Sequence, residues 1–468
     1  MSANGLGRPF WTLFVSSTVS NLGDGIGRVA LPLLAATLTR DPLLIGSLAS
    51  FVFVPWLLFA LLSGALVDRM DRRKVMIAAN AFRAVVVGAL AVAVFTGQAA
   101  VWMLFVAAFL LGAAETLYDG AARAILPGVV RRDQLAAGNG RLEAGEVVAQ
   151  NFLGAPVASS LFVLVAAGPF LANSAGFLVA ALLLLLLPGS HRAVPAADAP
   201  AADTPTVRPN LRREMAEGMR WLWGHRVFRP FVFVAAFSAA AVEASTALVV
   251  LLIVDVMALP EVSYGFFAVL LGVGGLLGGL SAPVLLRRFR RRTVLVVSQA
   301  IMGLAFLLVG LLPVPALTAA AFFLTGMAVL MFNVVSMSMR QALVPAPLFG
   351  RVQGVWRTIA WGLLPVGGVL GGLLARITDV PTVFLVSGIV GLVVAVVLAL
   401  LLKARGQEID ELDDLDWAAR TEANAEERGA RDSARHAGAG EEPAEADDTV
   451  RDEERRADGD TAVRTPTP

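Results

Sequence analysis

Cysteine is absent from the 468 residues, which excludes disulfides, thiolate metal sites and a cysteine nucleophile. Histidine is nearly as scarce, and His191, His225 and His436 all fall outside the long apolar runs. No H-E-x-x-H pair, nucleophile elbow or phosphate-binding loop is present. An enzyme is therefore not expected, nor is a cofactor or a resident metal. ATP-driven transport is also excluded, because no nucleotide-binding cassette exists. Charge is short as well, at 16% of residues, and a soluble chain of this length needs more to cover its surface. Lysine is limited to Lys74 and Lys403 among 38 basic residues, so arginine carries nearly all the positive charge. No short apolar stretch with a cleavage site opens the chain. The first apolar run continues to Leu38 and reads as a membrane span.

What the chain does have is apolar length. Hydrophobic residues make up 57%, with a mean hydropathy of +0.72. They fall in runs that meet the roughly 20 residues a bilayer-crossing helix needs. Twelve spans are predicted, near 10–38, 43–67, 75–96, 100–126, 136–166, 170–188, 228–257, 263–286, 293–312, 316–344, 351–375 and 381–402. Asp41-Pro42, Gly97, Gly168-Pro169, Pro260 and the Pro313/Pro315 pair punctuate them. Four regions follow: a six-helix bundle over 1–188, a linker over 189–226, a second six-helix bundle over 227–402, and a tail over 403–468. In the linker, Leu211, Met215, Met219 and Leu222 recur at helical spacing before Trp221 and Trp223. That stretch reads as an interfacial helix or as a simple linker helix. The tail holds 20 acidic and 10 basic residues and too few apolar ones to bury a core, so it is expected to be disordered.

Arginine placement sets an expected orientation. With the N-terminus inside, cytoplasmic loops and flanks carry 19 basic residues, while the external loops carry only Arg40 and Arg376. Both termini and the linker are then cytoplasmic. The halves also repeat. At an offset of 219 residues Asp24 meets Glu243, Gly46 meets Gly265, Val75 meets Val294, and Arg72-Arg73 meet Arg291-Arg292. Such parallel repeats place a substrate path between the halves, with alternating access by rocking.

The segment GALVDRMDRRK, Gly64 to Lys74, lies between spans two and three. Its Gly64, Asp68, Arg69, Arg72 and Arg73 fit in register the G-x-x-x-D-R-x-G-R-[KR] loop signature of the major facilitator superfamily, which the chain resembles over residues 8–402. Asp71 stands where that signature has glycine. Span five carries Gly145, then Gly154-Ala-Pro156, similar to part of the antiporter signature of superfamily exporters. Asn21-Leu-Gly23-Asp24 and the Pro127–Asn139 stretch look most like the enterobactin-exporter and macrolide-efflux branch. The resemblance implies an all-α membrane protein with twelve transmembrane helices in two six-helix pseudo-repeats. It also implies a multi-pass location in a bacterial cell (inner) membrane, a cytoplasmic gate built on Asp68, Arg69 and Arg72, and a cavity lined by spans one, four, seven and ten.

Charges inside spans mark where chemistry is expected, since an ionised Asp at mid-bilayer costs roughly 2.5–3.5 kcal/mol on insertion scales. Span one places Ser17, Asn21, Asp24 and Arg28 on one stripe, and span four places Gly112, Glu115, Asp119 and Arg123 on another. Asp24 reads either as a proton- or cation-coupling carboxylate or as the structural partner of Arg28. Its repeat mate Glu243 has no arginine nearby in its own span, and an unpaired carboxylate there can take up and release a proton. Glu115 and Asp119 are further coupling candidates, or anions for a cationic substrate. Arg123 with Glu143 and Glu146 reads as a structural ion pair. Asn21, Arg28, Tyr118, Phe237, Met331, Phe332 and Asn333 are candidates for the substrate cavity, although most such residues are ordinary helix packing. The expected activity is proton-coupled export of a small amphipathic molecule such as a drug, macrolide or siderophore, by a monomer in a lipid bilayer without nucleic acid. A lipid flippase, an uptake system or a non-transporting receptor or scaffold on the same fold remain alternatives.

Overall fold

The computed structural model describes residues 6–59, 70–131, 134–189, 211–415 and 418. Among them the secondary structure is helical throughout, with no strand. The first six long helices are α1 (Arg8–Leu38), α2 (Pro42–Phe59), α3 (Arg72–Phe95), α4 (Val101–Ile125), α5 (Ala137–Leu164) and α6 (Gly168–Leu185). A shorter helix, α7 (Leu211–Gly224), precedes the second set. That set is α8 (Phe228–Val256), α9 (Val262–Leu285), α10 (Arg291–Leu311), α11 (Pro315–Leu343), α12 (Phe349–Ile377) and α13 (Val380–Arg405). Eleven of these, α2–α6 and α8–α13, are long and apolar enough to cross a bilayer. Helix α1 has 31 residues, about 46 Å at 1.5 Å per residue, so length is not its limitation. Its polar stripe, with Asp24 and Arg28, dilutes its hydropathy.

Helix ends follow local rules. Asp41 caps α2 by accepting from the Leu43 N–H, and Asp379 caps α13 by accepting from Thr382. Those bonds hold the Asp379 carboxyl below its usual range. Asp71 caps α3, accepting from the Arg73 and Lys74 N–H groups, with φ −70°. The position needs no left-handed backbone, which explains why aspartate serves where the superfamily signature has glycine. Gly64, Asp68 and Arg69 lie outside the described residues. Arg72 donates to the Ala124 carbonyl at the end of α4, and Arg73 donates to Leu184 and Leu185 at the end of α6. Both guanidiniums thus satisfy orphan carbonyls at helix C-termini.

Helices α1, α3, α4 and α6 pack together, as do α8, α10, α11 and α13. Two seams join the sets, α2 against α12 and α5 against α9. Close approach there depends on small residues. A Cβ on Gly46 would come within 2.6 Å of the Gly368 carbonyl oxygen, and one on Gly265 within 2.9 Å of that of Ala155. Within the first set, a Cβ on Gly154 would sit 2.6 Å from the Gly25 backbone, bringing α5 onto α1. Gly145 rests against Phe14 and Thr18 of α1. Between Gly145 and Pro156, residues Val148–Gly154 form a π-helical segment, a form that recurs at functional sites.

Contacts divide the chain into a body, residues 1–410, and a second unit, 411–468, of which only 411–415 and 418 are described. Residues 190–210 lie outside the described part, and so does most of the predicted tail. Helix α7 packs on the start of α12: Leu222 is buried, Gly218 meets the Arg351 backbone, and Arg351 donates to Glu217. Composition starts the tail at 403, yet residues up to 410 belong to the body. Ile409 is fully buried in the second set's core, and Asp410 pairs with Arg290 at 3.3 Å and Arg292 at 3.0 Å. Glu408 lies 3.2 Å from His225. Burial pushes the His225 imidazole below its ordinary pKa, while Glu408 acts in the other direction.

Candidate functional site

Between the two sets lies a cavity of about 540 Å³. From the first set, Asp24, Arg28, Trp56, Glu115, Asp119, Arg123 and Glu146 line it, with apolar wall from Phe53, Leu111 and Phe177. From the second come Glu243, Thr246, Tyr264, Arg357 and Trp361. The space is thus amphipathic, with aromatic walls and five carboxylates.

Asp24 is held by a residue that sequence reasoning did not single out. Arg83, in the middle of α3, is fully buried and donates to both Asp24 oxygens at 2.9 and 3.2 Å. It also donates to Ser20 Oγ at 2.9 Å and Asn80 Oδ1 at 2.6 Å. Its Cζ stands 4.7 Å from the Tyr118 ring centre and 4.4 Å from that of Phe177. The signal was available: an arginine inside an apolar run needs a counter-charge at its own depth. Arg28 does not serve Asp24 but lies 3.8 Å from Glu115.

The repeat makes Arg83 informative. At the 219-residue offset Asn80 meets Gln299 and Arg83 meets Met302. Ser20 donates to Asn80, and Ser238 donates to Gln299 at 2.7 Å, so both halves keep a buried polar pair at that depth. Only the first half adds the cation. Glu243, the mate of Asp24, therefore faces the cavity with no cationic partner among the described residues, and Thr246 and Tyr264 are its polar neighbours.

The other predicted site residues distribute unevenly. Asn21 is buried at the α1–α5 contact, accepting from Gln150 Nε2 at 2.8 Å. Tyr118 is buried beneath Arg83, and its hydroxyl donates to Ser17. Met331 and Phe332 are buried in the second set's core, where Phe332 packs on Phe231. Phe237 is 55% exposed and Asn333 is exposed, and neither is among the cavity-lining residues. Arg123 and Glu146 both line the cavity while Glu143 is exposed, and no ion pair joins them among the described residues. No cluster of metal-ligating side chains occurs among the described residues.

Comparison with known proteins agrees with this architecture. The macrolide efflux protein A of Streptococcus pyogenes is 24% identical over 415 residues, covering 86% of this chain and 97% of its own. The multidrug efflux pump Tap of Mycobacterium tuberculosis is 27% identical over 395 residues, 81% of this chain and 89% of its own. Among solved structures, the nucleoside transporter NupG superposes with a TM-score of 0.68 at 18% identity, covering 85% of this chain and all of that one. The family model for transmembrane secretion effectors matches residues 7–430, both halves and the cavity between them. The chain is a multi-pass membrane transporter of small molecules and not an enzyme, and it belongs to the transmembrane secretion effector family of the major facilitator superfamily.

Proposed function

We propose that this protein exports amphipathic small molecules, drugs or macrolides among them, across a bacterial cytoplasmic membrane by proton-coupled alternating access. The observation that carries this reading is the amphipathic cavity between the two repeats, with a carboxylate from each repeat in its wall. Two relatives bear the names of macrolide and multidrug efflux pumps, which favours export over uptake. In this reading α1 is a twelfth span, both termini and the linker are cytoplasmic, and a monomer suffices because one chain supplies the whole cavity.

The seams close at one end of the bundle. Arg40, beyond α1, pairs with Asp255 of α8 at 2.6 Å, and Arg376 of α12 approaches Asp41 at 3.7 Å. Each half thus gives one arginine and one aspartate. These are the two arginines of the loops assigned outside, so we read the closed end as external and the conformer as inward-facing. Asp24 is tied through both carboxyl oxygens to the buried Arg83, a pair that favours structure over turnover. Glu243 lacks such a partner and is the leading coupling carboxylate, with Glu115 and Asp119 next. A proton taken up from the external side and released inside would drive each cycle. One charge crossing 100 mV is worth about 2.3 kcal/mol.

The test is retention of a panel of dyes and macrolides in cells with and without the protein, with and without an uncoupler. Lower retention that the uncoupler abolishes is expected. Equal retention across the panel, with the protein present in the membrane, would refute export of this class.

A further inference from the structure

Trp56 of α2 and Arg357 and Trp361 of α12 meet across one seam, and all three line the cavity. Arg357 Cζ lies 3.8 Å from the Trp56 ring centre and 4.3 Å from that of Trp361. The indole centres are 6.0 Å apart with planes at 61°. Arg357 is half-buried, and a guanidinium partly withdrawn from water normally sits on a carboxylate. Here the Nε is buried with no hydrogen-bond partner, and no ion pair holds the group among the described residues. Carboxylates line the same cavity, yet Arg357 rests on the two rings.

The fold does not require this arrangement. Gly154 packs on Gly25 and Gly371 on Ala244. Gly25 and Ala244 are repeat mates at 219, so α5 and α12 correspond at an offset of 217 residues. In that register Arg357 and Trp361 match Gly140 and Ala144, while at the 219-residue offset Trp56 matches Gly275 of α9. The repeat-related positions are thus all small residues, where this seam carries two indoles and a guanidinium. What one repeat has and the other lacks is not explained by packing the halves together.

We infer that Trp56 and Trp361 form a binding site for a planar, delocalised cation carried by the exported molecule, with Arg357 as a tethered competitor for it. The inference rests on the export reading of the cavity. Indole is the best aromatic partner for a cation, and a flat, weakly hydrated cation adds stacking to the electrostatic attraction. Asp119 and Glu146 line the same cavity, so a displaced Arg357 has anions to meet. Because the two indoles belong to different halves, the filled site exists only while this seam is closed. A ligand there biases the protein toward this conformer.

The test uses the full chain in detergent and equilibrium binding of ethidium, followed by fluorescence anisotropy. Tetraphenylphosphonium serves as a non-planar cation and phenanthridine as a neutral planar molecule. Trp56→Leu and Trp361→Leu are each expected to weaken ethidium binding about tenfold, with smaller changes for the other two probes. Arg357→Ala is expected to tighten ethidium binding severalfold, a gain that misfolding cannot produce. Unchanged ethidium binding in both tryptophan variants, or weaker binding in Arg357→Ala, overturns the inference while leaving export standing. A wild-type protein that binds none of the three probes overturns the reading of the cavity as an amphipathic export site, and this site with it.

Discussion

Arg83→Met is the most informative single change, because it copies into the first repeat what Met302 already places in the second. Arg83 is 0% exposed and makes four hydrogen-bond contacts, two of them to Asp24, whose side chain is 11% exposed. Methionine fills much of the volume but leaves the Asp24 carboxylate without its cation, and Ser20 and Asn80 without a charged donor. Removing one partner of a buried ion pair costs about 3–5 kcal/mol. At about 1.4 kcal/mol per tenfold, that raises the unfolded fraction by a factor between roughly one hundred and a few thousand. The assay is reversible urea unfolding in mixed micelles, followed by tryptophan fluorescence. The double variant Arg83→Met, Asp24→Leu should recover most of the loss, since an apolar pair of similar volume is often neutral in place of a buried ion pair. Two results would refute the reasoning. One is Arg83→Met within about 0.5 kcal/mol of the wild type, below the cost of a single lost hydrogen bond to a charge. The other is a double variant as unstable as the sum of the singles, which would mean that the two residues do not act as a pair.

Glu243→Gln is expected to abolish substrate-driven proton movement in proteoliposomes, and Met302→Arg to do the same by giving Glu243 the cation that Arg83 gives Asp24; wild-type proton flux in both variants would move the coupling role to Glu115 or Asp119. Gly46→Val should keep α2 from closing on α12, because its Cβ would meet the Gly368 carbonyl at 2.6 Å. A single cysteine at Leu44, in a chain with none of its own, should then label faster from outside, and an unchanged labelling rate would count against the seam as a moving closure. Ending the chain after Leu415 should leave stability within about 0.5 kcal/mol of the full chain. Ending it after Arg405 should cost about 2 kcal/mol or more, since it exposes the Ile409 pocket and frees Arg290 and Arg292 from Asp410. Equal unfolding midpoints for the two truncations would show that residues 406–410 do not contribute.

The helical class, the positions of the spans, the repeat and the superfamily were written in the sequence, because each depends on local pattern. A run of apolar residues either has the length to cross a bilayer or does not, and loop arginines are counted without knowing the fold. The acidic stripe of α4 and the deep acids Asp24 and Glu243 were legible for the same reason, since residues three and four apart share a helix face. Partnership was not legible. Arg28 follows Asp24 by one turn, yet the cation that holds Asp24 is Arg83, 59 residues away on another helix. Met331 and Phe332 lie on a helix expected to line the cavity, but rotation about the axis decides which face a residue presents, and both turn into the second core. Arg357 stood out as an arginine inside a predicted span with Trp361 one turn on, but its second indole, Trp56, reaches it only when α2 meets α12. The sequence by itself determined that the chain is a series of long apolar helices and roughly where most of them lie. Only the tertiary structure decided which charges meet, because pairing depends on the depth and rotation of neighbouring helices, and these follow from close contacts such as Gly154 on Gly25 and Gly46 on Gly368.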